Sequence, residues 1–122
     1  MDARALATQL AAGRIAMGAG LAVAPGLIAG MWVGRDGARP GAKVVGSAMG
    51  ARDLAIGVGI LRALRGAGSP APWLQAAAFA DATDLVATLR ARDDIPSVAV
   101  VGVGALAACS AGACLWLSRQ LG

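Results

Sequence analysis

The sequence predicts an all-α membrane protein in which four transmembrane helices form an up-down-up-down bundle. Hydrophobic residues make up 57% of the 122 residues and charged residues only 15%, whereas soluble domains average about 45–50% and about 25%. A small soluble protein needs a mostly polar surface because a large fraction of its residues is exposed. The surplus apolar surface is therefore expected to face lipid, which makes the membrane bilayer the first predicted partner.

Long uncharged stretches identify two of the spans directly. Ile95 to Ser118 contains 24 residues without a charge, which as a helix exceeds a hydrocarbon core of about 30 Å. Ile15 to Gly34 is uncharged for 20 residues. This stretch is too long for the apolar region of a signal peptide, so it is interpreted as a span and no cleaved leader is expected.

Turn residues divide the chain into four helices. The predicted helices cover about residues 4–32, 42–64, 70–91 and 95–119. Together they form a single transmembrane domain, residues 1–122. Ser69 before Pro70, and Asp94 before the next Ile-Pro pair, are expected to cap the third and fourth helices. Because the connections GRDGARPG, RGAGS and RDD are too short for crossovers, consecutive helices should be antiparallel.

The first predicted helix is longer than one bilayer crossing requires and contains Pro25. Either the helix bends at this proline or its first two turns lie in the interface. Orientation stays open as well. Four basic residues lie on the side of the termini and five on the other side, which is no usable bias under the positive-inside rule.

Charge and residue types exclude several classes of function. The net charge is +4, but the basic residues are scattered over helix ends and loops, so nucleic acid is not an expected partner. The chain contains no His, which excludes histidine-based acid–base chemistry and the common haem and zinc sites. No metal site and no cofactor are predicted. Ser110 has no base partner nearby in the sequence.

Glycine and tryptophan positions indicate how the helices pack. Two glycine pairs have GxxxG spacing, Gly26 with Gly30 and Gly46 with Gly50, which favours close approach between helices. Such small-residue faces are also predicted surfaces for a homo-oligomer. Three tryptophans near helix ends are predicted interfacial anchors. They are Trp32, Trp73 and Trp116.

Five charged residues lie inside the predicted helices. They are Arg14, Arg52, Asp53, Asp81 and Asp84. A charge at mid-bilayer costs about 2.5–3.5 kcal/mol on insertion scales, so such residues normally face the bundle and find partners. Asp53 and Asp81 lie near the midpoints of neighbouring helices and should meet at one level. Two arginines shared among three aspartates leave one negative charge in excess, unless one acid carries a proton.

Small or polar residues surround the aspartates on one face of each helix. On the third predicted helix this face consists of Ala77, Asp81, Asp84 and Thr88. On the second it consists of Gly46, Gly50, Asp53 and Gly57. The glycines beside Asp53 either bring another helix very close or leave space for a ligand or water. Arg52 points about 100° away from Asp53 on a helix, so these two neighbours are not expected to pair.

The charged set has two interpretations, a salt-bridge network that fixes helix register and a functional pocket. In the pocket, the candidate catalytic residues are Asp53, Asp81 and Asp84. The candidate substrate-binding residues are Arg14, Arg52, Gly50, Gly57 and Thr88. A pocket of this kind predicts a membrane protein that binds a lipophilic small molecule and transforms it by general acid–base chemistry, as a cyclase, an isomerase or an epoxide-opening enzyme.

Two other classes of function stay open. The buried carboxyl groups also fit a proton-coupled small transporter, in which they would exchange protons for substrate. The GxxxG faces fit an accessory structural subunit that docks on a larger membrane complex.

Three sequence patterns carry a resemblance to a known type of protein. The patterns are Gly13 and Arg14 followed by Gly18, Gly20 and Pro25; GxRDxxxG with Gly50, Arg52, Asp53 and Gly57; and DxxD with Asp81 and Asp84. Together they resemble a family of small bacterial four-helix integral membrane proteins of unknown function. The resemblance implies four transmembrane helices in the bacterial inner (plasma) membrane, and it supplies no activity.

Two groups of known activity are similar in size. Membrane terpene cyclases use buried acids, but this chain has few of the aromatic rings that stabilise carbocations. Small multidrug transporters carry a glutamate in their first helix, where this chain offers Arg14.

Overall fold

The computed structural model describes residues 2–122, in which every regular element is helical. The elements are α1 (Ala3–Val23), α2 (Pro25–Val33), a 3₁₀ helix (Gly34–Ala38), α3 (Pro40–Leu64), α4 (Ala71–Arg90) and α5 (Ser97–Gln120). The predicted all-α class is confirmed for these residues. Three of the helices, α1, α3 and α5, are long and apolar enough to cross a membrane, which supports a membrane protein.

The first predicted helix is broken at the proline it contains. α1 ends at Val23, and α2 begins with Pro25. Ala24 between them has φ −132° and ψ 62°, outside the helical region, because the residue before a proline is disfavoured in the α conformation. Of the two alternatives for this segment, the structure therefore has the bend.

The other helix ends lie close to the predicted ones, although only one of the two predicted caps forms. The amide of Ala71 donates to the Ser69 hydroxyl at 3.2 Å, at the start of α4. The prediction for Asp94 is wrong, since α5 starts at Ser97 after Pro96 and no side chain caps it. Asp94 lies instead in a turn, where its amide donates to the carbonyl of Ala91. Because proline fixes its own backbone angle, the Pro96 position sets the start of α5 without a cap.

The helices pack as two groups. α1 packs most extensively on α3, and α4 on α5, whereas α3 and α4 contact each other sparingly although they follow one another in the chain. We call the first contact the α1–α3 interface and the last one the α3–α4 seam.

Glycine makes the α1–α3 interface close. A Cβ atom built on Gly50 would lie 2.7 Å from the carbonyl oxygen of Gly18, and one built on Gly57 would lie 2.7 Å from the Ile15 side chain. Backbone atoms of the two helices are thus nearly in contact, as small residues permit in a membrane where lipid gives no hydrophobic drive. Of the two interpretations of the glycines beside Asp53, the structure has the close helix.

The bundle has three levels along its length. An apolar core fills the level near the termini, where the start of α1, the end of α3, the start of α4 and the end of α5 meet. Its fully buried members include Ala7, Ile60, Leu74 and Leu117. The five charged residues inside the helices occupy the middle level, and the connections between α2 and α3 and between α4 and α5 close the other end.

Candidate functional site

The five charged residues predicted to face the bundle meet in a single network. Arg14 of α1 lies at its centre, where its Nη1 donates to Asp53 Oδ1 at 2.9 Å and its Nη2 donates to Asp81 Oδ2 at 2.5 Å. The Arg14 side chain is 8% exposed and both carboxylates are 11% exposed. One guanidinium therefore holds two carboxylates from two other helices. The predicted convergence of Asp53 and Asp81 is confirmed.

Ser110 joins this network from α5. Its hydroxyl donates to Asp81 Oδ2 at 2.6 Å, although nothing near it in the sequence suggested a partner. The signal that could have found it is position alone, since Ser110 lies near the middle of α5 as Asp81 does of α4. We call Arg14, Asp53, Asp81 and Ser110 the inner cluster.

Arg52 and Asp84 form a second, more accessible part of the network, which we call the outer pair. Arg52 Nη1 donates to Asp84 Oδ1 at 3.0 Å and Nη2 donates to Oδ2 at 2.8 Å. This is the bidentate geometry in which arginine binds carboxylates most specifically. The side chains are 29% and 18% exposed, respectively, so the outer pair is the part of the network nearest to the surface.

The prediction that Arg52 and Asp53 do not pair is wrong. Arg52 Nε donates to Asp53 Oδ1 at 3.3 Å, a distance near the upper limit for a hydrogen bond. The two Cα–Cβ bonds do diverge on the helix, but the arginine side chain is long enough to bring its guanidinium back over its neighbour. The contact links the outer pair to the inner cluster.

The network connects the two groups of helices. Arg14 ties α1 and α3 to α4, Arg52 ties α3 to α4 a second time, and Ser110 adds α5. Ion pairs thus bridge the α3–α4 seam, where the two backbones approach each other at few points. Throughout residues 2–122, every buried side-chain nitrogen or oxygen has a hydrogen-bond partner. The aspartates at the centre are already satisfied by the protein.

Gly50 and Gly57, predicted to bind substrate, lie against α1 rather than beside a cavity. Backbone atoms of Gly18 and Ala22 approach a Cβ position at Gly50 within 3 Å, and the Ala11 carbonyl oxygen and the Ile15 side chain do so at Gly57. The space beside Asp53 is therefore filled by a helix, and this correction removes the glycine face from the candidate site.

Thr88 is buried and both hydrogen-bonding capacities of its hydroxyl are used. The hydroxyl donates to the carbonyl of Asp84 at 2.7 Å and accepts from Trp32 Nε1 at 3.0 Å. The Trp32 indole, predicted as an interfacial anchor, thus donates into the protein. This contact links α2 to α4 directly beside the outer pair.

An apolar groove of about 270 Å³ lies between α2, α3 and α4. Its walls include Trp32 of α2, Val45 and Met49 of α3, and Ala87 and Thr88 of α4. None of the five network residues lines it, and Thr88 is its only member among the predicted site residues. The groove nevertheless ends close to the outer pair, because Met49 and Thr88 each lie about one helical turn from Arg52 and Asp84, respectively.

Within residues 2–122, no group of three or more His, Cys, Asp or Glu side chains is placed so that it could hold a metal ion. Two arginines take up the three aspartates of the network. The chemistry available at the site is therefore that of carboxylates, guanidinium groups and hydroxyls, beside an apolar groove.

Comparison of the chain with protein-family models, curated proteins and solved structures gives no match. The resemblance to small bacterial four-helix membrane proteins stays a prediction, and the function has to be inferred from the geometry of the chain itself.

Proposed function

We propose that the chain is an integral membrane protein that crosses the bilayer four times and binds a lipophilic small molecule in the groove between α2, α3 and α4. The observation that supports the binding function is the groove itself: an apolar space of about 270 Å³ in a chain with three helices that could cross a membrane. This volume lies just below the range of about 300–1,000 Å³ usual for small-molecule pockets. It suits one hydrocarbon chain better than a bulky molecule.

α4 is the proposed fourth span. It contains 20 residues, which corresponds to about 30 Å of helix, the thickness of a hydrocarbon core. Its acids Asp81 and Asp84 point inward to arginines, whereas Phe79, with 77% exposure, and Val86 point outward. A helix with charged residues can cross a bilayer if its lipid-facing side is apolar and its charges face the bundle and are paired. α4 has both features.

The up-down-up-down order is part of the proposal. It is supported by the apolar core near the termini, where residues from the start of α1 and α4 pack with residues from the end of α3 and α5. The bacterial inner membrane is proposed from the resemblance alone. A homo-oligomer would have to use outward small residues such as Gly102 and Gly112, beside which there is open space, because Gly50 and Gly57 are covered within the chain.

Acid–base chemistry on the bound molecule is assigned in this proposal to Asp84. Asp84 is the network carboxylate nearest to the groove, which ends about one helical turn from it, and a reacting atom has to enter that last turn to come within hydrogen-bond distance of the acid. Asp53 and Asp81 are the less exposed carboxylates, and both are held by Arg14. Their role in this proposal is structural, since they hold α3 and α4 to α1 through Arg14.

A proton-coupled transporter is the second candidate, and the α3–α4 seam is the observation that favours it. α3 and α4 approach each other at few backbone points and are bridged there by an ion pair, an arrangement suited to the relative movement that alternating access requires. Substrate uptake into proteoliposomes that changes with an imposed pH gradient would support this candidate over simple binding.

Photolabelling tests the binding function. The protein is reconstituted in phosphatidylcholine vesicles that contain a diazirine on the acyl chain, and labelling of each residue is measured by peptide mass spectrometry. Val101 is the reference because it is 73% exposed on the outside of α5. Met49 in the groove is expected to be labelled about as strongly as Val101. Ala87→Phe, which fills the groove, should remove the Met49 label and leave the Val101 label.

Ala105→Phe is the matched control, since Ala105 is exposed on α5 and away from the groove. It should leave both labels unchanged. Absence of label at Met49, or an equal Met49 label in Ala87→Phe and in the unchanged protein, would contradict the proposed binding function.

A further inference from the structure

We propose that the groove binds an anionic phospholipid of the surrounding bilayer, with an acyl chain in the groove and the phosphate headgroup among basic residues at its outer end. The inference rests on the proposed function, because it names the ligand class of the same groove. It is carried by the combination of apolar walls and free positive charge at one end of the bundle.

The outer end of the groove lies where the helices meet their connections. Val33 ends α2, Ala42 lies in the first turn of α3, and Ala91 and Ile95 lie between α4 and α5; all four line the groove. In a four-span bundle this end lies at the depth of the lipid headgroups. A lipid chain that enters here would keep its headgroup at the ordinary level.

Positive charge surrounds this end. Five basic residues lie in or beside the two connections, namely Arg35, Arg39, Lys43, Arg90 and Arg92. Three acidic residues lie there too, namely Asp36, Asp93 and Asp94. Five positive and three negative charges leave an excess of two positive charges, which is complementary to a phosphate headgroup and less so to a zwitterionic one.

Several of these bases are free to bind a phosphate. Arg39 forms an ion pair of 2.9 Å with Asp36, and Arg92 donates a hydrogen bond to the carbonyl of Leu89. In the part of the chain that the structure describes, Arg35 and Arg90 form no ion pair, and both are exposed. Arginine is well suited to this role because its planar guanidinium can donate two parallel hydrogen bonds to phosphate oxygens.

Arg90 is the basic residue most directly joined to the groove. It lies one helical turn beyond Ala87, which lines the groove, and Ala87 and Arg90 also share a shallow depression on the outer face of α4. A chain lying against Ala87 would place its headgroup within reach of Arg90.

The opposite end of the bundle provides a natural contrast. It is also basic, with Arg4, Arg62, Arg65 and Arg119, but there the apolar core is closed and Leu74 and Leu117 are fully buried. Arg4 is further engaged with the carbonyl of Leu64. Positive charge occurs at both ends, whereas the groove reaches the connections at the end that carries Arg35 and Arg90.

A competition between two labelled lipids tests the inference. Phosphatidylcholine vesicles receive a trace of phosphatidic acid or of phosphatidylcholine, with the same diazirine acyl chain in each, and the Met49 label is divided by the Val101 label. Phosphatidic acid is expected to give at least a fivefold higher ratio, since one basic residue near an anionic headgroup favours binding by about fivefold. The double variant Arg35→Gln/Arg90→Gln should bring the ratio down to that of phosphatidylcholine.

The matched control is Arg62→Gln/Arg65→Gln, two exposed arginines at the other end, which should keep the preference. Equal ratios for the two lipids, or a preference that survives in Arg35→Gln/Arg90→Gln, would overturn the inference. In that case a normal Met49 label from phosphatidylcholine still supports the groove as a lipophilic site, whereas loss of the Met49 label with every lipid refutes the proposed function as well.

Discussion

α3 contacts α1 on one face and α4 on another, and the two contacts are built differently. Toward α1, backbone approaches backbone, since a Cβ on Gly50 would lie 2.7 Å from the carbonyl oxygen of Gly18. Toward α4, the two backbones approach each other at few points, and Arg52 bridges to Asp84 through hydrogen bonds of 3.0 and 2.8 Å. Glycine thus closes the α1–α3 interface, and long charged side chains span the α3–α4 seam.

The difference shows that glycine and arginine–aspartate pairs have different effects on the distance between neighbouring helices. Small residues allow van der Waals contact along the full length of two helices and leave no space for a ligand. An arginine–aspartate pair holds helices at a distance set by two long or extended side chains. The groove between α2, α3 and α4 ends about one helical turn from this pair.

The largest expected effect is that of removing the central charge of the inner cluster. Arg14→Met leaves Asp53 and Asp81 without their shared counter-ion in a site where all three side chains are at most 11% exposed. Loss of one partner of a buried ion pair costs about 3–5 kcal/mol. The free energy of unfolding, measured by circular dichroism during titration of micelles with SDS, should fall by about that amount.

Arg62→Met is the control for Arg14→Met, because Arg62 is exposed at the end of α3; it should change the free energy of unfolding by about 0.5 kcal/mol or less. The double variant Arg14→Met/Asp81→Asn should recover part of the loss. If Arg14→Met were as stable as the unchanged protein, the inner cluster would not contribute to holding the two groups of helices together.

The next largest effect tests the α1–α3 interface. Gly50→Ala introduces a methyl group against the backbone of Gly18 and Ala22. Backbone atoms cannot move aside as a side chain can, so α1 and α3 have to move apart. The expected loss is about 1–3 kcal/mol in the same titration. Gly102→Ala is the matched change, since open space surrounds Gly102 on α5, and it should be neutral or slightly stabilising. Equal effects of the two substitutions would show that α1 and α3 are less closely packed than described.

A smaller effect is expected at Ser110. Ser110→Ala removes the hydrogen bond of 2.6 Å to Asp81 but leaves the Arg14 contact with that carboxylate. The loss should be about 1 kcal/mol. In an Arg14→Met background the same substitution should cost more, because Ser110 is then the remaining partner of Asp81. A strictly additive double variant would mean that Ser110 and Arg14 do not share this carboxylate.

The helices and the convergence of the charges could be predicted from the sequence. The physical reason is the high free energy of an unpaired charge in the hydrocarbon core. An intramembrane charge must find a partner, so Asp53 and Asp81 could be placed together from their depth, and Arg14 could be placed with them as a counter-ion. The break at Pro25 was visible as one of two alternatives. The local signal for the break is the proline itself, because the residue before it, Ala24, is disfavoured in the α conformation.

The site was harder to predict because it depends on the distance between helices. Glycine has the same periodicity whether it admits a neighbouring helix or a ligand, so Gly50 and Gly57 could not be assigned before the α1–α3 interface was known. Ser110 carries no charge, and its partner lies 29 positions away. The groove beside Thr88 depends on how far apart the helices lie. That separation produces no recognisable residue pattern in α3 or α4.

An experimental structure of the protein in lipid nanodiscs that contain phosphatidic acid tests the central claim most directly. We expect one acyl chain between Trp32 and Met49, a headgroup near Arg90, and the Arg52–Asp84 pair intact one turn deeper. A closed α3–α4 seam, with Val45 and Met49 packed directly on Ala87 and no lipid between them, would contradict it.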